Sequence, residues 1–250
     1  MSKVLDVFER CVKAIHDAEL IKQVSVSDKE FHFQNWVTQR IEELGINYEV
    51  SGRNTYPDIT LVQTAEGYEI KGLAYPGREN SYDSNSQVPT GFHNGREIFY
   101  VFGRYPKEPQ EKEYPVIDLV ICHGDLLNAD HDYVHKNSLV KGFGTYGDIQ
   151  IRDRKMYVCP TPFAIATGLT GTHTLILPED YKVDKRMTQV GKLSRVEVDE
   201  IVVGYEFNLQ TNEITTQTIE NHNKGKQHQF NAYRLTGESS KKVNLNEDRA

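Results

Sequence analysis

Asp58, Glu69 and Lys71 are the residues whose types and spacing point most directly to chemistry. Two carboxylates offer hard oxygen ligands for a divalent cation such as Mg2+. A metal held there lowers the pKa of a bound water and stabilises charge on a phosphoryl group. An ammonium beside them can orient or help deprotonate the attacking water, and the two acids make its charge tolerable. Together these groups are the equipment for hydrolysing a phosphodiester.

The stretch 54–72 contains the elements that must position them. Ile59 and Leu61 alternate with Thr60 and Val62, the period-two pattern of a half-buried strand. Ala65-Glu66-Gly67 reads as a turn, and Tyr68–Lys71 as the returning strand. Alternation puts Glu69 and Lys71 on one face of that strand, and an antiparallel partner brings Asp58 close to it. The plainer alternative is a surface hairpin, with Asp58 as a turn residue and Glu69–Lys71 as a surface ion pair.

Pro57-Asp58, followed after ten residues by Glu69-Ile70-Lys71, resembles the signature of the PD-(D/E)xK nuclease superfamily. That superfamily includes type II restriction endonucleases, junction resolvases and repair nucleases. The resemblance spans about residues 30–124. It implies Asp58, Glu69 and Lys71 as catalytic residues, with Asp58, Glu69 and Ile70 holding Mg2+. In that family the helix before the hairpin often adds a carboxylate; its position falls on Gln34 here, a departure, with Glu30 one turn earlier as a further accessory candidate. Length, a single catalytic core and polar loops make the chain most similar to a type II restriction endonuclease. The resemblance then implies double-stranded DNA as substrate, a homodimer matching a two-fold site, and a cognate DNA methyltransferase in the host. A resolvase or repair nuclease is the alternative within the superfamily, though these are generally smaller and more basic. A non-catalytic DNA-binding module is the alternative from another class.

Composition sets outer bounds. The chain has 250 residues, 38% hydrophobic and 10% aromatic, which suits one large globular domain. Apolar runs are too short for a transmembrane helix, and no signal peptide is evident at the start, so no membrane partner and a cytoplasmic location are expected. Cys11, Cys122 and Cys159 lack CxxC spacing and suit buried thiols in a reducing compartment. A net charge of −7 argues against non-specific DNA binding through global charge, though a negative chain can still carry a basic cleft.

The expected fold class is α/β (α+β): a mixed central β-sheet flanked by helices, a restriction-endonuclease-like core, and β-rich C-terminal additions. Apolar stripes predict helices over 4–20 and 29–44, the second stopped by Gly45. Buried strands are predicted over 97–102 and 116–122. The single nuclease domain is expected over 1–220, with its catalytic core at 28–125 and DNA-recognition additions at 126–220. Residues 221–250 read as a polar, flexible tail. The polar segment 72–91 reads as a DNA-facing loop, with Arg78, Asn80, Asn85, Ser86 and Gln87 as hydrogen-bonding residues. Arg154 and Lys155 at a hairpin tip, and the basic window 182–195, are candidate phosphate contacts. Thr172 and His173 sit in a small-residue loop able to approach a groove. His131 and His135 have the spacing of a metal pair without an obvious third ligand.

Overall fold

The computed structural model describes residues 2–23, 29–52, 55–85, 88–109, 111–129, 146, 150–153, 156–208, 210–211 and 213–246. Helix α1 (Val4–His16), strand β1 (Ile21–Lys22) and helix α2 (Lys29–Glu43) come first, and an antiparallel meander follows: β2 (Tyr48–Val50), β3 (Ile59–Leu61) and β4 (Glu66–Tyr75). Next come β5 (Ser81–Asn85), β6 (Phe92–His93), β7 (Arg96–Pro106), β8 (Glu113–Tyr114) and β9 (Asp118–His123). The C-terminal half holds β10 (Gln150–Asp153), β11 (Met156–Pro160), short helix α3 (Pro162–Ile165), β12 (Ala166–Thr167) and β13 (His173–Pro178). It ends with β14 (Met187–Val196), β15 (Glu200–Asn208), β16 (Glu213–Glu220), β17 (Gln227–Leu235) and β18 (Asn244–Leu245).

Among the described residues the molecule is mixed α/β with few helices, built on a nine-stranded sheet in the order β14-β17-β13-β9-β7-β4-β3-β2, with β6 pairing off β7. The β4–β7 and β9–β13 pairs are parallel, while β7–β9 and β13–β17 are antiparallel. β4 reaches its parallel neighbour without a crossover helix: the chain passes through β5, which leaves the sheet to pair with β11, and through β6.

Alternation sorts the central strands between two cores. Tyr68, Ile70, Phe99, Val101, Leu119 and Ile121 pack under α1 and α2. Tyr100, Phe102, Val120 and Cys122 face the layer holding Tyr82 of β5, Leu126 and Ile165 of α3. A strand buried on both faces loses the polar alternation of a surface strand and reads as a continuous apolar run. Each such side chain taken from water contributes about 1.5–3 kcal/mol. Among the described residues, both long helices cover one face of the sheet, and strands with short helical turns cover the other.

Helix α2 docks through Phe33 onto a flat spot made by two paired glycines, Gly72 and Gly103. A Cβ on Gly103 would stand 2.1 Å from the Phe33 ring, so only glycine allows this approach.

Three further expectations change. Gly67 is a residue of β4 rather than of the turn, and its missing side chain makes room for Pro57, whose Cγ would lie 2.5 Å from a Cβ there. The 72–91 segment is not one loop, because β4 runs on to Tyr75 and β5 pairs with β11 from Ser81↔Pro160 to Asn85↔Met156. The tail over 221–250 is corrected most strongly, since β17 is an interior strand between β13 and β14. Two of its polar residues are buried in hydrogen bonds: Asn231 to Tyr233 and Gln189, and Arg234 to the carbonyls of Gly168, Ser239 and Lys241. The hairpin expected to carry Arg154 and Lys155 appears as β10 and β11, but its tip and the pair His131 and His135 lie outside the described residues. Among the described residues no helix is long and apolar enough to cross a membrane.

Candidate functional site

The site begins with an interruption in the β3–β4 ladder. Ile59 pairs with Tyr68 and Thr60 with Gly67, and the named pairs stop there. Extending the register places Asp58 opposite Glu69 and Pro57 opposite Ile70. Proline has no N–H to give, so a regular ladder cannot continue. Beyond the last backbone pair, the Asp58 side chain takes over the acceptor's part: its Oδ2 accepts the Ile70 N–H at 2.7 Å. In return the Asp58 N–H donates to Glu69 Oε2 at 3.2 Å.

Tyr68 and Ile70 point into the core beneath the helices, so Glu69 and Lys71 project from the opposite face of β4. There Lys71 Nζ lies 2.6 Å from Glu69 Oε1 and 5.9 Å from the centre of the Tyr82 ring. Asp58, Glu69 and Lys71 thus form one continuous array on the face opposite α1 and α2. Glu69 is 8% exposed, while Asp58 and Lys71 are half-buried, so the array opens toward solvent on one side.

A wall of phenols backs the array. Tyr56 and Tyr100 hydroxyls are 2.9 Å apart, and the Tyr56 hydroxyl donates to the Thr90 carbonyl at 3.3 Å. Burial, reinforced by the Glu69 charge, raises the phenols of Tyr56, Tyr100 and Tyr82 well above their usual range. They stay protonated, so the wall adds no negative charge beside the two acids.

The donor set suits a hard cation. Asp58 and Glu69 supply carboxylate oxygens, and the Ile70 carbonyl lies on the same strand edge as its N–H, the edge Asp58 occupies. The set contains no nitrogen or sulfur donor that would favour a softer metal.

Other expected residues are dispersed. Gln34 and Glu30 belong to α2, whose apolar side packs on the far face of β4. Arg78 and Asn80 are exposed in the β4–β5 connection, where the Arg78 N–H caps Ala74 at 3.0 Å and the Asn80 carbonyl accepts the Thr161 N–H at 3.1 Å. Asn85 ends β5, and Ser86, Gln87, Arg154 and Lys155 lie outside the described residues. Thr172 is buried, with its hydroxyl donating to the Leu169 carbonyl at 2.9 Å. His173 shares the helix-bearing face with Leu175 and Leu177, three strands from β4, or about 14 Å at the usual strand spacing. Thr172 and His173 therefore lie apart from the Asp58 array.

Tyr56, Tyr82 and Tyr100 escaped the sequence reading. Tyr100 stands in an apolar run and looks like core, and Tyr82 stands in a polar stretch that looks like loop. Tyr56 alone carried a usable signal, through its place beside Pro57-Asp58. No family model, no curated protein and no solved structure matches this chain.

Proposed function

We propose that this protein is a Mg2+-dependent double-stranded DNA endonuclease of the PD-(D/E)xK type, most like a type II restriction enzyme. The observation that carries the reading is the contiguous array of Asp58, Glu69 and Lys71 at the broken end of the β3–β4 ladder. The order of elements also supports it: α2, the antiparallel meander β2-β3-β4, then β7 parallel to β4, which is compatible with a restriction-endonuclease-like core.

Asp58 and Glu69, with the Ile70 carbonyl, are the groups that hold the cation. Mg2+ bound there supplies a water of lowered pKa and neutralises charge on the scissile phosphate. Lys71, anchored by Glu69, orients the attacking water and stabilises the charge developing on the phosphoryl oxygens. The neutral phenol wall closes one side of the array and limits water there. In this reading the protein works as a homodimer on a short two-fold site, beside a cognate methyltransferase in the cytoplasm of its host. With a net charge of −7, DNA contact is confined to a local surface and is strongly salt-sensitive.

The test is digestion of linear duplex DNA with Mg2+, followed by mapping of fragment ends. Discrete fragments with one end sequence support the reading. A smear, or preference for four-way junctions, favours the resolvase alternative, and no cleavage across diverse duplexes and junctions contradicts both.

A further inference from the structure

A second cluster of ligand-type side chains sits on the opposite face of the sheet from the Asp58 array. His16 ends α1, His173 begins β13, and Glu238 lies in the turn after β17. Three segments far apart in sequence bring one donor each to a single point, all within 4.8 Å of one another. His16 Nε2 is 3.1 Å from Glu238 Oε1, and His173 Nδ1 is 3.4 Å from Glu238 Oε2. The two imidazole rings meet edge to face, with centroids 5.4 Å apart.

The two His–Glu separations, each to a different oxygen of Glu238, are close to those between neighbouring ligands of a coordination shell. With metal–ligand bonds of about 2.0–2.1 Å, neighbouring donors of a tetrahedral site stand about 3.3 Å apart. The two histidines also approach from different sides of one carboxylate, each with a different ring nitrogen. Two histidines and one carboxylate form the mixed nitrogen and oxygen set that suits Zn2+, whereas Mg2+ prefers oxygen alone. The His173 and Glu238 side chains are 12% and 19% exposed, and that of His16 is 51% exposed, so the first two are held in place while the third leaves one side open for a fourth ligand.

We propose that His16, His173 and Glu238 form a Zn2+ site that fastens the end of α1 to the sheet. The site is independent of the nuclease reading, because it lies on the other face and three strands away from β4. Its effect is structural: zinc cross-links the first helix, an interior strand and the turn after β17. Binding to the folded chain alone raises its thermal stability as zinc is added.

The experiment is calorimetric titration of ZnCl2 into metal-stripped full-length protein, with Mg2+ in large excess to occupy hard oxygen sites. Wild type and Asp58→Ala are each expected to bind one equivalent. His16→Ala, whose side chain is largely exposed and whose fold is checked by circular dichroism, is expected to lose that equivalent, as is Glu238→Gln. Co2+ in place of zinc should give the intense visible bands of tetrahedral coordination in wild type and not in His16→Ala. No stoichiometric zinc in wild type, or equal binding by His16→Ala, would show that these contacts are His–Glu hydrogen bonds only and overturn the proposal. Loss of zinc in Asp58→Ala with retention in His16→Ala would place the metal at the other site and overturn it equally.

Discussion

The carboxylate of Asp58 stands in for a strand: it accepts the Ile70 N–H at 2.7 Å, just past the Ile59–Tyr68 pair that ends the β3–β4 ladder. One side chain thus completes the sheet edge and also presents an oxygen to the proposed metal. The two duties separate by mutation. Asp58→Ala removes both, while Asp58→Asn keeps a carbonyl oxygen for the N–H and loses only the charge. Both variants are expected to abolish Mg2+-dependent cleavage. In urea unfolding, Asp58→Ala is expected to be less stable than Asp58→Asn by about 1 kcal/mol or more, the usual cost of a backbone donor left without its acceptor. Equal midpoints and slopes for the two would contradict the stand-in role.

The Phe33 contact gives a second prediction. Gly103→Ala places a methyl against the Phe33 ring and, through it, displaces α2 from β4 and β7. The expected loss is about 1–3 kcal/mol, as for other overpacked cores. Adding Phe33→Leu to Gly103→Ala should cost less than the sum of the single changes, because residues in contact do not act additively. Strict additivity in a double-mutant cycle would mean the two do not share that space.

Buried thiols give a pH prediction. Burial raises Cys11 from 9.0 to about 12, and Cys122 is also pushed above its ordinary value. The unfolded chain releases these protons first, so it holds fewer protons than the folded chain above pH 9. Stability is then fully present below pH 9 and falls as pH rises toward 12. The slope from Cys11 alone is about 1.4 kcal/mol per pH unit in that window. Cys11→Ala should flatten the alkaline limb of a stability–pH curve, and an unchanged limb would count against the burial of Cys11. All three thiols, Cys159 included, are buried and should resist alkylation in the folded protein.

The candidate site was legible because it is local. Period-two alternation put Glu69 and Lys71 on one face, and the short return brought Asp58 beside them. The first two helices were legible from their apolar stripes, and β7 and β9 from their apolar runs. What hid from the sequence was polar residues that the fold buries. β17 reads Gln-His-Gln-Phe-Asn-Ala-Tyr-Arg-Leu, which looks solvated until Asn231 meets Gln189 of β14 and Arg234 meets the Gly168 carbonyl. β5 reads Ser-Tyr-Asp-Ser-Asn, a loop by composition, and becomes a strand only because β11 arrives beside it. Long-range pairing of this kind leaves no local trace. The face on which α2 packs was equally invisible, since it depends on a pair of glycines in two different strands.

Lys71 separates a nuclease from a DNA-binding module most cleanly. Its ammonium lies 2.6 Å from Glu69 Oε1, beside the proposed metal. The decisive measurement is single-turnover cleavage in Mg2+ beside equilibrium DNA binding in Ca2+, for wild type and Lys71→Ala at equal salt. The account predicts a cleavage rate lower by about 10²-fold or more, the usual cost of a lost electrostatic or proton-transfer group. It also predicts a small change in affinity, since one phosphate contact contributes a modest share of DNA binding. If Lys71→Ala binds much more weakly while the bound complex cleaves at the wild-type rate, Lys71 is a phosphate contact and the account is wrong.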